Sequence, residues 1–198
     1  MKKAFCRIVA CLLAAAGIYG YTLVKDQKSL QDQLIRLHVV ANSDSAEDQK
    51  TKLQVRDAIL NSIEEDLKNV ADPQQARAYL EEQLPKLQKT ANDTLISLGI
   101  DPTAVVTFCK ETFDTRYYDT FTLPAGIYDS LRITIGEGEG HNWWCVAYPS
   151  LCLGAAGKDV EAMAAQAGVT ESAAGAITGK YELRFFLLDL LGKLQTRS

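Results

Sequence analysis

The stretch from Leu131 to Cys152 (LRITIGEGEGHNWWCVAYPSLC) contains both tryptophans of the chain and two of its five cysteines. Leu131, Ile133 and Ile135 alternate with polar residues, which predicts a strand with one buried face. A Gly-Glu-Gly-Glu-Gly loop follows, and residues 143–148 predict a return strand, so the segment should form a hairpin with a long loop. We interpret the aromatic residues beside this loop as a surface shaped for a partner or a substrate.

The bulk composition bounds the size of the domain and its class of partner. The chain has 198 residues, 47% of them hydrophobic, which allows about one domain with a well-formed core. The formal net charge is −4 with both signs interspersed. Nucleic acid would require a basic face, so we expect no nucleic-acid partner.

The N-terminus is typical of a segment that enters a membrane. Lys2, Lys3 and Arg7 precede an uncharged run from Ile8 to Val24. The run is roughly 17 residues long, near the lower limit for crossing a bilayer. Ala14-Ala15-Ala16 also fits a signal-peptide cleavage site, but cleavage there would leave a short apolar core, which favours an uncleaved anchor. In either case the positive-inside rule predicts that the chain after Lys25 lies outside the cytoplasm. A buried N-terminal helix of a soluble protein is the alternative.

The next segments predict one strand and two long helices. Residues 31–42 contain a short β-branched run that favours a strand. The apolar spacing from about Ala46 to Asn69, capped by Ser45, predicts an amphipathic helix. A second helix should begin at Asp72-Pro73 and stop at Gly99, with a kink where Pro85 removes a hydrogen bond.

In the second half of the chain the apolar residues no longer recur at helical spacing, which predicts strands before a final helix. Residues 104–110 predict a strand, and residues 115–123 are expected to be extended. Residues 154–180 are rich in Ala and Gly and predict a linker with a weak helix near residues 159–166. Residues 181–194 predict a helix that docks back on the sheet or, alternatively, on a membrane or partner.

Together these patterns predict an α+β protein. An N-terminal membrane helix or signal segment precedes an antiparallel or mixed sheet of about four to five strands, packed by two long helices and a C-terminal helix. We divide the chain into a signal peptide or anchor (1–28), a globular domain (29–153), a linker (154–180) and a C-terminal helix (181–198).

The candidate catalytic groups are few. The glycine loop is followed by Trp-Trp-Cys-Val and not by a helix start, so nucleotide binding is not expected. Cys145 with His38 or His141 as base suggests an exported thiol hydrolase acting on peptide or cell wall, although a structural histidine in a strand is the commoner explanation for His38. Two histidines and scattered cysteines do not reach zinc spacing, so we expect no metal and no cofactor.

A pair of cysteines and a cluster of polar residues each allow two interpretations. Cys145 and Cys152 can close a small disulfide loop in an oxidising space, or remain two reduced, buried cysteines. A polar cluster follows the first strand. Helix capping and exposed i,i+4 ion pairs account for it, with a partner-facing helix edge as the functional alternative. Its members are Asn42, Ser43, Asp44, Ser45, Asp48, Gln49, Lys52, Arg56 and Asp57.

Two runs of the sequence resemble the stage II sporulation protein R family. These are residues 36–60 (RLHVVANSDSAEDQKTKLQVRDAIL) and residues 123–152, of which NWWCV after GEGEG is the most specific; the C-terminal YELRFFLLDLLGKL is also similar. Ser150, Tyr148 and His141 stand where the family more often has Pro, Phe and Gln.

The resemblance implies an exported signal protein and not an enzyme. Such a protein is made in the forespore and crosses its inner membrane. In the space between forespore and mother cell it triggers a membrane-embedded aspartic protease that matures a mother-cell sigma-factor precursor. The family supplies no contact residues, so the partner-binding set is our own inference: Gly136, Gly138, Gly140, Asn142, Trp143, Trp144, Tyr148, His38, Asn42, Asp44 and Asp48.

Overall fold

The computed structural model describes residues 2–70, 72–149 and 160–196. In chain order the elements are α1 (Lys2–Gln33), β1 (Ile35–Val40), α2 (Ala46–Lys68), α3 (Pro73–Ser97), β2 (Val105–Phe113), β3 (Arg116–Tyr117), β4 (Thr122–Leu123), β5 (Gly126–Thr134), β6 (Asn142–Tyr148), α4 (Val160–Gln166), α5 (Glu171–Ile177) and α6 (Glu182–Gln195). The predicted α+β fold, with an N-terminal apolar helix before a mixed sheet, is confirmed.

The sheet has four strands in the order β2-β5-β1-β6. Strand β1 runs parallel to β5 and antiparallel to β6, and β2 runs antiparallel to β5. The predicted hairpin of β5 and β6 is therefore wrong, because β1 lies between them. Every residue of β1 is buried, as expected of a central strand covered on both faces. The glycine loop consequently crosses the end of β1 instead of making a hairpin turn.

Helices α2 and α3 cover one face of the sheet. Ser45 caps α2 by accepting a hydrogen bond from the Asp48 backbone, and Asp72 caps α3 in the same way through Gln74 and Gln75. Pro85 lies inside α3. The aliphatic residues of both helices pack against Leu37, Val39 and their neighbours in a single core. Both helices form as predicted because their apolar residues recur at helical spacing.

The opposite face of the sheet is covered by the end of α1, by α4 to α6 and by the small β3–β4 hairpin. The weak helix predicted near residues 159–166 is present as α4, but the linker predicted around it is wrong because a second helix, α5, follows. Both helices are packed into the domain through buried residues, namely Val160, Ala164, Ala173, Ala174 and Ile177. Alanine allows helices to approach closely, which explains why a segment without large side chains still packs into this core.

Helix α1 joins the apolar leader to the domain without a break. The described part of the chain holds one helix long and apolar enough to cross a membrane, a test that a signal sequence also passes, and it is this one. Residues up to Thr22 are almost entirely exposed, whereas Leu23, Asp26, Gln27 and Leu30 are buried against the domain. The last third of α1 is therefore part of the folded unit.

Candidate partner-binding surface

The glycine loop is held in place by the chain that leaves β1. Asn42 is at the centre of this contact: its carbonyl oxygen accepts a hydrogen bond from the Glu139 backbone, and its Oδ1 accepts one from the Glu137 backbone at 3.1 Å. Gly136 and Gly138 have φ values of +57° and +67°. A Cβ at Gly136 would lie 2.2 Å from Asn42 Oδ1. Both glycines are thus favoured by their backbone conformation, and Gly136 also by the close approach of Asn42.

The polar residues that follow β1 add further hydrogen bonds between this loop and the glycine loop, and we call the two loops together the clamp. Asp48 Oδ2 accepts hydrogen bonds from Ser43 Oγ at 2.5 Å and from Asn42 Nδ2 at 3.0 Å, and these bonds lower the pKa of Asp48. Asp44 Oδ1 accepts a hydrogen bond from the His141 backbone at 2.6 Å and contacts the imidazole of His141. The backbone hydrogen bond and then the side-chain one lower the pKa of Asp44. The structure therefore brings Asn42, Asp44 and Asp48 together with the glycine loop, where their polar groups hold two loops to each other.

The two tryptophans project from opposite faces of β6. Trp143 lies on the α2 side, where its ring is covered by Arg56 at 4.3 Å and 38% of the residue remains exposed. Trp144 lies on the other face, stacked on His38 with ring centroids 5.7 Å apart. Arg116 covers the same indole at 3.4 Å. Each tryptophan therefore has its own arginine, because successive side chains of a strand point to opposite faces.

His38 is the centre of a polar cluster beside Trp144. Its Nδ1 lies 3.1 Å from Glu111 Oε1, and its Nε2 lies 2.9 Å from Asn142 Oδ1. Arg132 Nη1 donates to the same Glu111 oxygen at 2.8 Å. Burial opposes ionisation of Glu111, but the hydrogen bond from His38 and the charges of His38 and Arg132 outweigh it and lower the pKa of Glu111 to about 2. The cluster thus holds an ionised carboxylate beside His38, the residue on which the Trp144 ring stacks.

Arg36 lies deeper on the same face and is fully buried. Its Nε donates to the Cys145 carbonyl oxygen at 3.1 Å and its Nη2 to Tyr118 Oη at 2.9 Å. The guanidinium also covers the ring of Phe113 at 4.3 Å. Burial lowers the pKa of Arg36 below its ordinary value. Arg36 therefore ties the β3–β4 hairpin region, through Tyr118, to the centre of the sheet.

Arg56 belongs to the polar cluster that the sequence predicted, although its contact with Trp143 was not predicted. Sequence reasoning missed four residues of this site: Arg36, Glu111, Arg116 and Arg132. A signal existed for Arg36, because it alternates with His38 in an otherwise apolar strand. Charged residues in such a strand are rarely buried without partners. The others are ordinary surface charges in the sequence, and only the sheet order places them beside β6.

Tyr148 lies away from the other predicted binding residues. It is at the far end of β6, buried in the core beneath α2 and α3, and its hydroxyl donates to the Val70 carbonyl oxygen at 3.4 Å. Burial raises the pKa of Tyr148. Its position is that of a core residue. Cys152 lies outside the described residues, so the disulfide with Cys145 stays a prediction.

The geometry does not favour the thiol-hydrolase alternative. Cys145 is 7% exposed and belongs to the core beneath α2 and α3. It pairs with Leu37 across β1 and β6, whereas His38 pairs with Trp144. Residues directly opposite in an antiparallel pair share a face, so the Cys145 sulfur and the His38 imidazole lie on opposite faces of the sheet. His141 is exposed and is held by Asp44.

Comparison with known proteins agrees with these features. The family model of stage II sporulation protein R (spore_II_R) matches residues 31–158, the region that contains β1 to β6 and both loops of the clamp. Stage II sporulation protein R of Bacillus subtilis (strain 168) is 37% identical over 158 residues, which cover 77% of this chain and 70% of the relative. No solved structure matches the chain significantly. The chain therefore belongs to the stage II sporulation protein R family.

Proposed function

We propose that this protein is an exported sporulation signal that binds a membrane-embedded aspartic protease and thereby triggers maturation of a mother-cell sigma-factor precursor. The chain crosses the forespore inner membrane with its N-terminal segment, and the domain acts in the space between forespore and mother cell. Family membership and the apolar helix α1 support this proposal. The protein acts by contact and not by catalysis.

One observation supports a specific contact surface. Strand β6 is an edge strand of the sheet. It presents Trp143 covered by Arg56 on one face and Trp144 covered by Arg116 on the other. We call these four residues the Arg–Trp edge. Tryptophan and arginine are among the residues that contribute most binding energy at protein interfaces.

The two halves of the Arg–Trp edge differ in accessibility. Trp143 is more than one-third exposed, so a partner can cover it without a rearrangement of the domain. Trp144 is held by His38 and Arg116, so its role is to fix the position of β6 and not to be covered by the partner. Asn142, at the start of β6, is exposed while its side chain contacts His38, and it extends the same surface. Trp143 is accordingly the residue that should touch the partner first.

The proposal is tested by reconstitution in a host that lacks sporulation genes. The full chain, the candidate protease and the sigma-factor precursor are co-expressed, and precursor cleavage is followed by immunoblot. We expect cleavage that depends on the chain. A full-length, membrane-exported chain that triggers no cleavage beside an intact protease would contradict the proposed function.

The surface is tested in the same system with matched variants. Trp143→Ala should lose triggering while it keeps its thermal unfolding midpoint, and Trp143→Tyr should retain part of it because an aromatic ring remains. The control is Ile96→Ala on α3, which removes a side chain that is 58% exposed at another surface. If folded alanine variants at both tryptophans still trigger cleavage, the Arg–Trp edge is not the interface, although the function stands.

A further inference from the structure

Helix α6 has an apolar outer face in addition to the face that packs on the domain. Leu188, Asp189 and Gly192 are buried on the inner side. The outer side carries Leu183, Phe186, Leu190 and Leu194, which are 69%, 62%, 45% and 59% exposed. Their spacing places them on one side of the helix. We call these four residues the outer stripe.

The contacts between α6 and α1 determine beside which residues of α1 the outer stripe lies. Arg184 Nε lies 2.6 Å from Asp26 Oδ2, and the guanidinium lies over the Tyr19 ring at 5.6 Å. At the other end, Gln31 Nε2 donates to Gln195 Oε1 at 2.7 Å. The two helices therefore run side by side in the same direction. The first turn of α6 is level with Tyr19 to Asp26, where the apolar run of α1 ends.

The length of the apolar run shows where the membrane surface lies relative to the first turn of α6. Residues 8–24 rise about 26 Å in a helix, whereas the hydrocarbon core of a bilayer is about 30 Å thick. The run has no residues to spare, so the membrane surface must lie close to the level of Val24 or beyond it. Any side chain that points outward at that level, beside α1, is then at the membrane interface.

The residues around this level have the composition of an interface. A groove of about 620 Å³ lies between α1, α5 and α6. Its lining combines aromatic, apolar and charged side chains: Tyr19, Glu171, Ser172, Tyr181, Glu182, Leu183 and Arg184. Tyr21 of α1 and Lys180 are exposed close by in sequence. Tyrosine concentrates at membrane interfaces, and three tyrosines, Tyr19, Tyr21 and Tyr181, lie around this level.

We propose that the first two turns of α6, through Leu183 and Phe186, insert into the interface of the bilayer that α1 enters. The lipid surface, and not a second protein, is the occupant of this part of the outer stripe. The inference rests on the proposed function in one respect, namely that α1 enters the membrane. Its consequence is that the domain is seated against the bilayer by two helices in fixed relative positions and does not hang from a free tether.

Photolabelling of the full chain tests this proposal. The protein is synthesised cell-free directly into nanodiscs that contain a lipid with a diazirine near its headgroup, then irradiated and digested with trypsin. We expect lipid adducts on Leu183 and on the 185–193 peptide that carries Phe186, together with adducts on α1. The 90–110 peptide provides the control, because it carries Ile96, which is 58% exposed on α3. It should carry no adduct.

The outcomes separate this inference from the proposed function. Adducts on α1 without adducts on α6 would overturn the α6 inference and leave the anchor intact. Adducts on neither helix would remove the membrane anchor itself and both proposals with it. In the double variant Leu183→Glu and Phe186→Glu, the α6 adducts should fall about tenfold while those on α1 remain, because the variant loses the two apolar side chains that enter the bilayer interface. An unchanged α6 yield in a folded double variant would also overturn the proposal.

Discussion

Asp26 of α1 and Arg184 of α6 form an ion pair beneath the surface, with 2.6 Å between Oδ2 and Nε. Asp26 is 2% exposed and also accepts hydrogen bonds from Thr170 Oγ1 at 2.6 Å and Ser172 Oγ at 2.8 Å. One carboxylate thus connects the N-terminal helix to α6 and to the start of α5. The end of α1 is held in the domain by buried polar contacts. Because hydrogen bonds depend on direction, these contacts are made only when α1, α5 and α6 have this one relative orientation.

We expect Asp26→Ala to destabilise the domain, because it leaves the Arg184 guanidinium beneath the surface without its carboxylate. Breaking a buried pair in this way costs about 3 kcal/mol, which lowers the unfolding midpoint of a chain of this size by about 10 °C. Differential scanning fluorimetry in mild detergent measures the change. Asp93→Ala is the control, since its pair with Lys89 is exposed and contributes about 0.5 kcal/mol or less. Equal effects at both sites would show that the Asp26 pair does not hold α1.

Gly192→Ala should lower stability, although glycine-to-alanine changes inside helices usually raise it by up to about 1 kcal/mol. A Cβ at residue 192 would lie 1.6 Å from the Ala125 carbonyl oxygen, so α6 would have to move away from the start of β5. Overpacking of this kind costs about 1–3 kcal/mol. Gly20→Ala in α1 is the matched control because nothing lies within 4 Å of its Cβ position. Urea unfolding of both variants gives the comparison, and a stabilised Gly192→Ala protein would refute the close packing.

The pKa of Glu111, about 2 against an ordinary value of 4.5, predicts a pH dependence. Because the folded-state pKa is lower, this carboxylate stabilises the fold above pH 4.5, and the contribution is lost as the pH falls towards 2. Glu111→Gln should therefore lower stability at pH 6 and show a shallower loss between pH 5 and pH 2. Urea titrations at several pH values measure both effects. Glu82→Gln, at an exposed position on α3, should follow the wild type, and a Glu111→Gln curve parallel to it would contradict the prediction.

The two tryptophans should differ in their effect on stability. Trp144 is stacked on His38, covered by Arg116 and packed against the second core, so Trp144→Ala should cost about 2 kcal/mol, below the full cost for a core tryptophan. Trp143 is 38% exposed and is held mainly by Arg56, a contact of about 0.5–1 kcal/mol. Thermal unfolding of both alanine variants checks this order. The reverse order would make Trp143 a core residue and would remove it as a binding candidate.

The local elements of this fold follow from the sequence because their determinants are local. The spacing of Leu53, Val55, Ile59 and Ile63 predicts α2, and it ends within one residue of the expected place. The caps at Ser45 and Asp72 are recognisable because a side-chain oxygen before a helical run satisfies free backbone N–H groups. The absence of charged residues between Ile8 and Val24 likewise identifies the apolar helix.

Neighbours in the sheet were not predictable in the same way. The period of β5 and β6 shows which faces are buried, but it does not say which strand lies between them. Strand β1, which is separated from β5 in the chain by two helices and three strands, takes that place. This strand order brings residues 41–44 against the glycine loop. It also puts Cys145 and His38 on opposite faces, which the sequence could not reveal.

The sequence by itself determined the two long helices, the C-terminal helix, the longer strands, the apolar N-terminal run and the family, because each depends on residue type and short-range spacing. Only the tertiary structure decided that Arg56 and Arg116 cover Trp143 and Trp144, that Tyr148 is a core residue, and that Asp26 belongs to the folded domain. These relationships join residues that are far apart in the chain. They arise from strand order and helix docking, which minimise exposed apolar surface over the whole molecule and leave no local pattern.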